Sequence, residues 1–234
     1  MKYGFYLLIF LAFLGCESEN ESKFNVEVPT SPDSDSLVII GQIAYFPFDS
    51  SLFDRSKSFF PMSFSGVLDF SNIDQKFALS LQRKDYLQFA IPRTDTFAIS
   101  FFIRNKTNVS QEGLQLIGIE KNMLVGLDAV SGATNLSIGG QVQKEVVNTY
   151  DSWLFVYIEW VKNSAQTRIV IRNIVDDVPF TKEYSMPVSI PVLPGDIVRL
   201  GSSGELLNGV NGFIDELRIY ERSISLAELN SLGQ

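Results

Sequence analysis

The sequence predicts an all-β fold, an antiparallel two-sheet sandwich or jelly roll, closed by one short C-terminal helix. Three observations carry this. From about residue 37 to residue 220 the chain is a succession of short alternating or apolar runs broken by Gly, Asn, Asp, Ser and Pro, the pattern of strands and tight turns. No run in that stretch keeps the i, i+3, i+4, i+7 spacing of a long amphipathic helix. The roughly 200 residues concerned suffice for one domain with a large core. With one Cys in 234 residues, no disulfide framework supports that core.

The first segment is of another kind. Met1-Lys2-Tyr3 leads into an apolar stretch over residues 4–15 that ends at Cys16. The stretch is too short to span ~30 Å of hydrocarbon as a helix, and its single positive charge, apolar core and small final residue fit a secretory signal. Leu14-Gly15-Cys16 resembles a bacterial lipobox, which implies removal of residues 1–15 as a lipoprotein signal peptide and acylation of Cys16. Several acyl chains on one residue hold a protein stably on a membrane surface. The acidic run over residues 17–22 resembles the surface-export signals that follow the lipidated cysteine in some Gram-negative bacteria. Up to Ser36 the chain stays rich in Ser, Pro, Asp and Glu, so residues 16–36 read as a disordered acidic tether. The expected location is the outer membrane, facing the outside of the cell, with the lipid anchor as the membrane contact.

Residues 37–234 form the expected domain. Its strands are expected near residues 42–48, 67–70, 76–81, 85–90, 96–104, 114–119, 123–128, 134–138, 153–161, 167–174, 180–185, 197–200 and 212–220. The last of these, Gly212-Phe213-Ile214-Asp215-Glu216-Leu217-Arg218-Ile219-Tyr220, is a glycine followed by an alternating apolar run. After it, Ser225 and Glu228 have the spacing of a capping box that opens a short helix.

The closing run resembles the terminal signature of the laminin-G-like, concanavalin A-like jelly rolls. Other pieces match in order. Residues 43–54, with Phe48-Asp49-Ser50-Ser51-Leu52-Phe53-Asp54, resemble the opening strand and its F-D-x-S-x-x-D turn. Residues 76–81 and 97–104 resemble two further family strands, and Trp153 begins another. The resemblance implies a two-sheet jelly roll whose partners are glycans or surface proteins, and related domains bind calcium at the sandwich edge. Asp49, Asp54 and Asp215 are the carboxylates of the matching motifs, and calcium takes several oxygen ligands. A structural Ca2+ on these three is therefore one expectation. The other is that Asp49 and Asp54 organise a turn through backbone amides and that Asp215 is a hydrogen-bonded structural carboxylate.

The two faces of the hairpin over residues 153–174 can be separated. Pairing Ile158 with Ile169 and Val156 with Ile171 places Leu154, Val156, Ile158, Ile169 and Ile171 on one apolar face. The other face then carries Trp153, Phe155, Tyr157, Glu159, Arg168, Val170 and Arg172, with Glu159 across from Arg168 and Phe155 across from Arg172. Rings beside charged donors suit a sugar, whose apolar face stacks while its hydroxyls take hydrogen bonds. Trp153, Phe155, Tyr157 and Arg172 are thus the expected ligand-binding residues. The competing expectation is that a long loop or the facing sheet covers the same rings as ordinary core.

Several function classes drop out. The chain has no His, which removes the commonest general base and the commonest zinc ligand. Net charge is −8 and no basic cluster tracks a phosphate backbone, so nucleic acid is not an expected partner. What survives as chemistry is a carboxylate pair, as in glycoside hydrolysis. Concanavalin A-like glycosidases carry an E-x-D-x-E strand, and this sequence has none. Asp215 and Glu216, adjacent on a strand, point to opposite faces. The sequence therefore reads as a non-catalytic surface lipoprotein that binds carbohydrate. The alternatives are a protein-interaction or adhesion module and, third, a carboxylate-only glycosidase.

Overall fold

In the computed structural model, residues 39–232 are described except 57, 75, 107–113, 120–121, 131–132, 139–140, 144–150, 163, 165–166, 174–179, 187–192 and 203–208. The expected signal segment, Cys16 and the expected acidic tether lie outside the described residues. The described strands are β1 (Gln42–Phe46), β2 (Ser63–Ser65), β3 (Phe70–Ile73), β4 (Lys76–Leu81), β5 (Tyr86–Ala90), β6 (Thr96–Asn105), β7 (Leu114–Ile119), β8 (Asn122–Val130), β9 (Ala133–Ile138), β10 (Gln141–Gln143), β11 (Trp153–Val161), β12 (Thr167–Asn173), β13 (Phe180–Met186), β14 (Ile197–Leu200) and β15 (Gly212–Tyr220), followed by the helix α1 (Leu226–Ser231).

The strands make two antiparallel sheets, the two-layer sandwich that the alternation predicts. One runs β13-β12-β11-β6-β15-β4-β3, with β1 also on β15; the other runs β10-β9-β8-β7-β14-β5-β2. Period-two alternation turns one face of each sheet inward. Phe46, Phe101, Ile103, Val156, Ile214 and Ile219 from the first sheet meet Leu87, Phe89, Leu116, Val198 and Leu200 from the second in one continuous core.

Two strands lie outside the expected set, β2 and β10, and the run expected near residues 67–70 is displaced to β3. Val67 and Leu68, which read as the start of a strand, are exposed at 70% and 47%. The strand proper, Phe70-Ser71-Asn72-Ile73, is polar enough to read as a turn, but pairing with β4 supplies the ladder that its composition does not advertise.

The hairpin β11–β12 has the register read from its sequence: Ile158 opposite Ile169, Val156 opposite Ile171, Glu159 opposite Arg168 and Phe155 opposite Arg172. All five residues of its expected apolar face are in the central core.

β15 needs its glycine and its bulge. A Cβ on Gly212 would collide with the carbonyl oxygen of Arg104 on β6, so only glycine lets the two strands approach there. Along one edge β15 pairs with β4 over Gly212–Ile214 and with β1 over Leu217–Tyr220. At the handover the β6 register shifts between Asp215 and Arg218, and Glu216 takes a left-handed φ of 52°. Such a backbone costs a non-glycine residue about 1–3 kcal/mol and persists only where its surroundings hold it. Here Tyr45 Oη donates to Glu216 Oε1 at 2.9 Å, and Arg218 Nη2 donates to Glu216 Oε2 at 2.8 Å.

A covered aromatic face and an open polar cleft

The face expected to bind sugar is buried. Phe155, Tyr157 and Val170 pack with Ile39, Ala98, Tyr220, Ile224 and Leu229 in a second apolar cluster under the C-terminal segment. The polar residues of the face hold that segment down. Tyr157 Oη donates to Glu159 Oε2 and accepts from the Ile224 amide at 3.0 Å. Burial, followed by the hydrogen bond to Glu159, pushes the Tyr157 phenol far up. Arg168 Nη1 donates to the Ile224 carbonyl at 2.7 Å, and Arg172 Nη2 donates to the Leu229 carbonyl at 3.3 Å and to Asn230 Oδ1 at 2.5 Å.

The capping box is in place, with Ser225 Oγ accepting from the Glu228 amide and the Glu228 carboxylate accepting from the Ser225 amide. It starts α1 at the point that lays Leu229 on the rings. The expectation of an open sugar face is thus corrected for Phe155, Tyr157 and Arg172: α1 and the turn before it occupy that face. Trp153, at the strand end, stays half-buried.

The three carboxylates expected at a calcium site are engaged separately. Asp54 Oδ1 accepts from the amides of Tyr45 and Ser56 at 2.9 and 2.7 Å, and its Oδ2 accepts from Ser56 Oγ and the Phe60 amide at 2.7 and 2.6 Å. Four donors on one buried carboxylate are what a turn organiser needs. Asp49 pairs with Arg55 at 3.2 Å. Asp215 Oδ1 accepts from the Glu216 amide at 2.9 Å. Among the described residues no three His, Cys, Asp or Glu form a group that could hold a metal ion. The donors do not fit the calcium expectation, because Asp54 has both oxygens filled by the protein.

Among the described residues, Asp215 is the carboxyl that departs furthest from its ordinary behaviour. Burial first, and then the Glu216 charge, push it up to about 8, with Asp49 adding to the rise and the Glu216 amide and Lys76 opposing it. The folded protein therefore keeps a proton that the unfolded chain loses near pH 4. That stabilisation is full below the unfolded value and fades as pH rises through about 8. Thermal melts from about pH 5 to about pH 9 should show Tm falling in the wild type and falling less in Asp215→Asn. Parallel profiles for the two proteins would contradict this assignment.

An open cleft lies where the β4–β5 turn meets the start of β15 and the end of β6. The turn is rigid, because the Asp85 amide donates to the Gln82 carbonyl at 2.7 Å and the Gln82 amide donates to Asp85 Oδ2 at 2.9 Å. Opposite, the Lys106 amide donates to the Asn211 carbonyl at 2.8 Å. The cleft holds about 680 Å3 and is lined by Gln82, Arg83, Lys84, Lys106, Asn211 and Phe213 among others. The Lys106 ammonium sits 4.2 Å from the centre of the Phe213 ring. Gln82, Arg83, Lys84 and Lys106 are exposed, while Asp85 is buried. No contiguous motif marks this site. Its one signal in the sequence is the Arg83-Lys84 pair in an acidic chain.

No family model matches the sequence, and no curated protein matches it. Solved structures do match in shape. Domain 4 of a family 43 extracellular arabinanase from Geobacillus stearothermophilus, in complex with arabinotriose, is similar at TM-score 0.60 and 18% identity, over 82% of this chain and 98% of that one. A Trypanosoma rangeli sialidase in complex with the inhibitor DANA matches at TM-score 0.60 and 11% identity, over 85% of this chain and 33% of that one. The receptor binding domain of botulinum neurotoxin mosaic serotype C/D matches at TM-score 0.55 and 12% identity, over 82% of this chain and 50% of that one. At these identities the likeness is one of fold, and it agrees with the two-sheet antiparallel sandwich read from the sequence.

Proposed function

We propose that the chain is a non-catalytic carbohydrate-binding sandwich of laminin-G-like, concanavalin A-like type, which takes its ligand in the cleft at the β4–β5 turn. The observation that carries this reading is the cleft itself. Its 680 Å3 falls in the range of small-ligand sites, about 300–1,000 Å3. Its walls offer side-chain amides and cations, which are partners for sugar hydroxyls. The complex of the arabinanase domain with arabinotriose supports the class of ligand. Among the described residues that line the cleft, Asp85 is the one carboxylate. Glycoside hydrolysis needs two.

A glycan array probed with the purified protein tests the reading. The best-binding oligosaccharide should lose about tenfold in affinity with Lys106→Ala, while Trp153→Ala leaves binding unchanged. Loss with Trp153→Ala alone would return the site to the hairpin face. Recovery of a surface protein free of glycan, with no array signal, would favour the adhesion module.

A carboxylate-only glycosidase is the second reading. Burial and the Glu216 charge push the Asp215 carboxyl up to about 8, the direction a general acid needs. Its neighbour Glu216 is tied to Tyr45 and Arg218. Release of reducing sugar from a polysaccharide panel, abolished by Asp215→Asn, would establish it.

The lipid anchor belongs to the same proposal. Labelled palmitate should be incorporated into the wild type and not into Cys16→Ala, and the labelled protein should fractionate with the outer membrane.

A further inference from the structure

We propose that the cleft at the β4–β5 turn selects acidic oligosaccharides, with Arg83, Lys84 and Lys106 taking the carboxylates of the sugar chain. This rests on the carbohydrate-binding reading and names its ligand class. The chain as a whole carries −8, yet the described residues that line the cleft include three cations and one carboxylate.

That carboxylate, Asp85, is buried and engaged by the turn itself. It is 8% exposed, accepts the Gln82 amide, and packs where any side chain on Gly66 would strike it. Arg55, Arg104, Lys162, Arg168, Arg218 and Arg222 each have a carboxylate partner. Arg83, Lys84 and Lys106 have none among the described residues. Three exposed cations without a carboxylate partner among the described residues, at a concave surface, focus a positive potential into it. A neutral glycan would leave them uncompensated, whereas a uronate would pair with them.

The parts divide the work. The exposed Lys106 ammonium lies 4.2 Å from the centre of the Phe213 ring, with its N–H groups available to an anion. Arg83 and Lys84 stand at the tip of the rigid turn. The guanidinium offers a fork that fits a carboxylate through two parallel hydrogen bonds. Gln82 and Asn211, beside them, remain for hydroxyls. Spacing between carboxylates along the sugar chain then becomes part of recognition.

The test is calorimetry on the full-length protein with oligogalacturonate, oligoalginate and hyaluronan oligomers, each against its carboxyl-reduced, neutral counterpart. At least one acid should bind about tenfold or more tightly than its neutral counterpart at low salt. That margin should shrink to about twofold at high salt, where surface charges are screened. The double variant Arg83→Gln/Lys84→Gln, at exposed turn positions, should lose the margin while keeping its Tm.

Equal binding of acid and neutral forms would overturn the inference and leave the carbohydrate reading standing. Absence of binding by every acidic and neutral sugar would overturn both. Binding of polyglutamate as tight as that of the best acid would overturn the inference by reducing it to unselective charge attraction. A margin retained in the double variant would overturn the residue assignment.

Discussion

Replacing Leu229 by Ala is expected to lower stability by about 2–5 kcal/mol, the range for removing a fully buried leucine side chain. Leu229 is fully buried, and its neighbours in the second cluster are Phe155, Tyr157 and Val170. Three carbons lost there leave a cavity above two rings that cannot collapse, since both stand on a central hairpin. Removing everything from Ile224 onward should go further. Tyr157 then loses the Ile224 amide, and Arg168 and Arg172 lose their carbonyl partners. Urea titration gives the loss in both variants, and binding of a hydrophobic dye to the truncated protein reports the uncovered rings. A Leu229→Ala protein as stable as the wild type would mean that α1 does not cover the face.

The second large effect is expected at Asp54. Asp54→Ala removes a carboxylate that accepts four hydrogen bonds, and leaves the buried Tyr45 amide without its partner. Hydrogen bonds to charged groups contribute about 1.5–3 kcal/mol each and do not sum within one network, so about 3–4 kcal/mol is the expected loss. Asp54→Asn, which keeps the shape and one good acceptor, should fall between the two. The same melts with calcium and with excess chelator separate turn organiser from metal ligand. The expected result is one Tm for the wild type in both. A Tm raised by calcium and insensitive to it in Asp54→Ala would restore the calcium site.

Much of the fold was legible because period-two alternation, turn residues and the closing glycine act locally. The β11–β12 register followed from one requirement, that Leu154, Val156, Ile158, Ile169 and Ile171 share a face. The capping box of α1 was legible for the same reason. What the helix covers was not, because Leu229 and Tyr157 lie far apart in the chain and meet only when β15 delivers the C-terminal segment to the sheet. An aromatic strand face reads alike whether it meets a sugar or a helix. The 215–218 bulge was illegible too, since it arises where β4 gives way to β1 on the same edge, a consequence of strand order. The cleft draws on residues 80–85, 106 and 211–213, brought together by the sheet and by no motif.

Ligand is expected to enter this cleft and not the covered hairpin face. Amide chemical-shift mapping during titration with the best-binding oligosaccharide separates the two sites. The largest shifts are expected at Gln82, Arg83, Lys84, Lys106 and Phe213, with Tyr157, Val170 and Ile224 unmoved. The largest shifts at Phe155, Tyr157 and Arg172, together with release of α1, would contradict it.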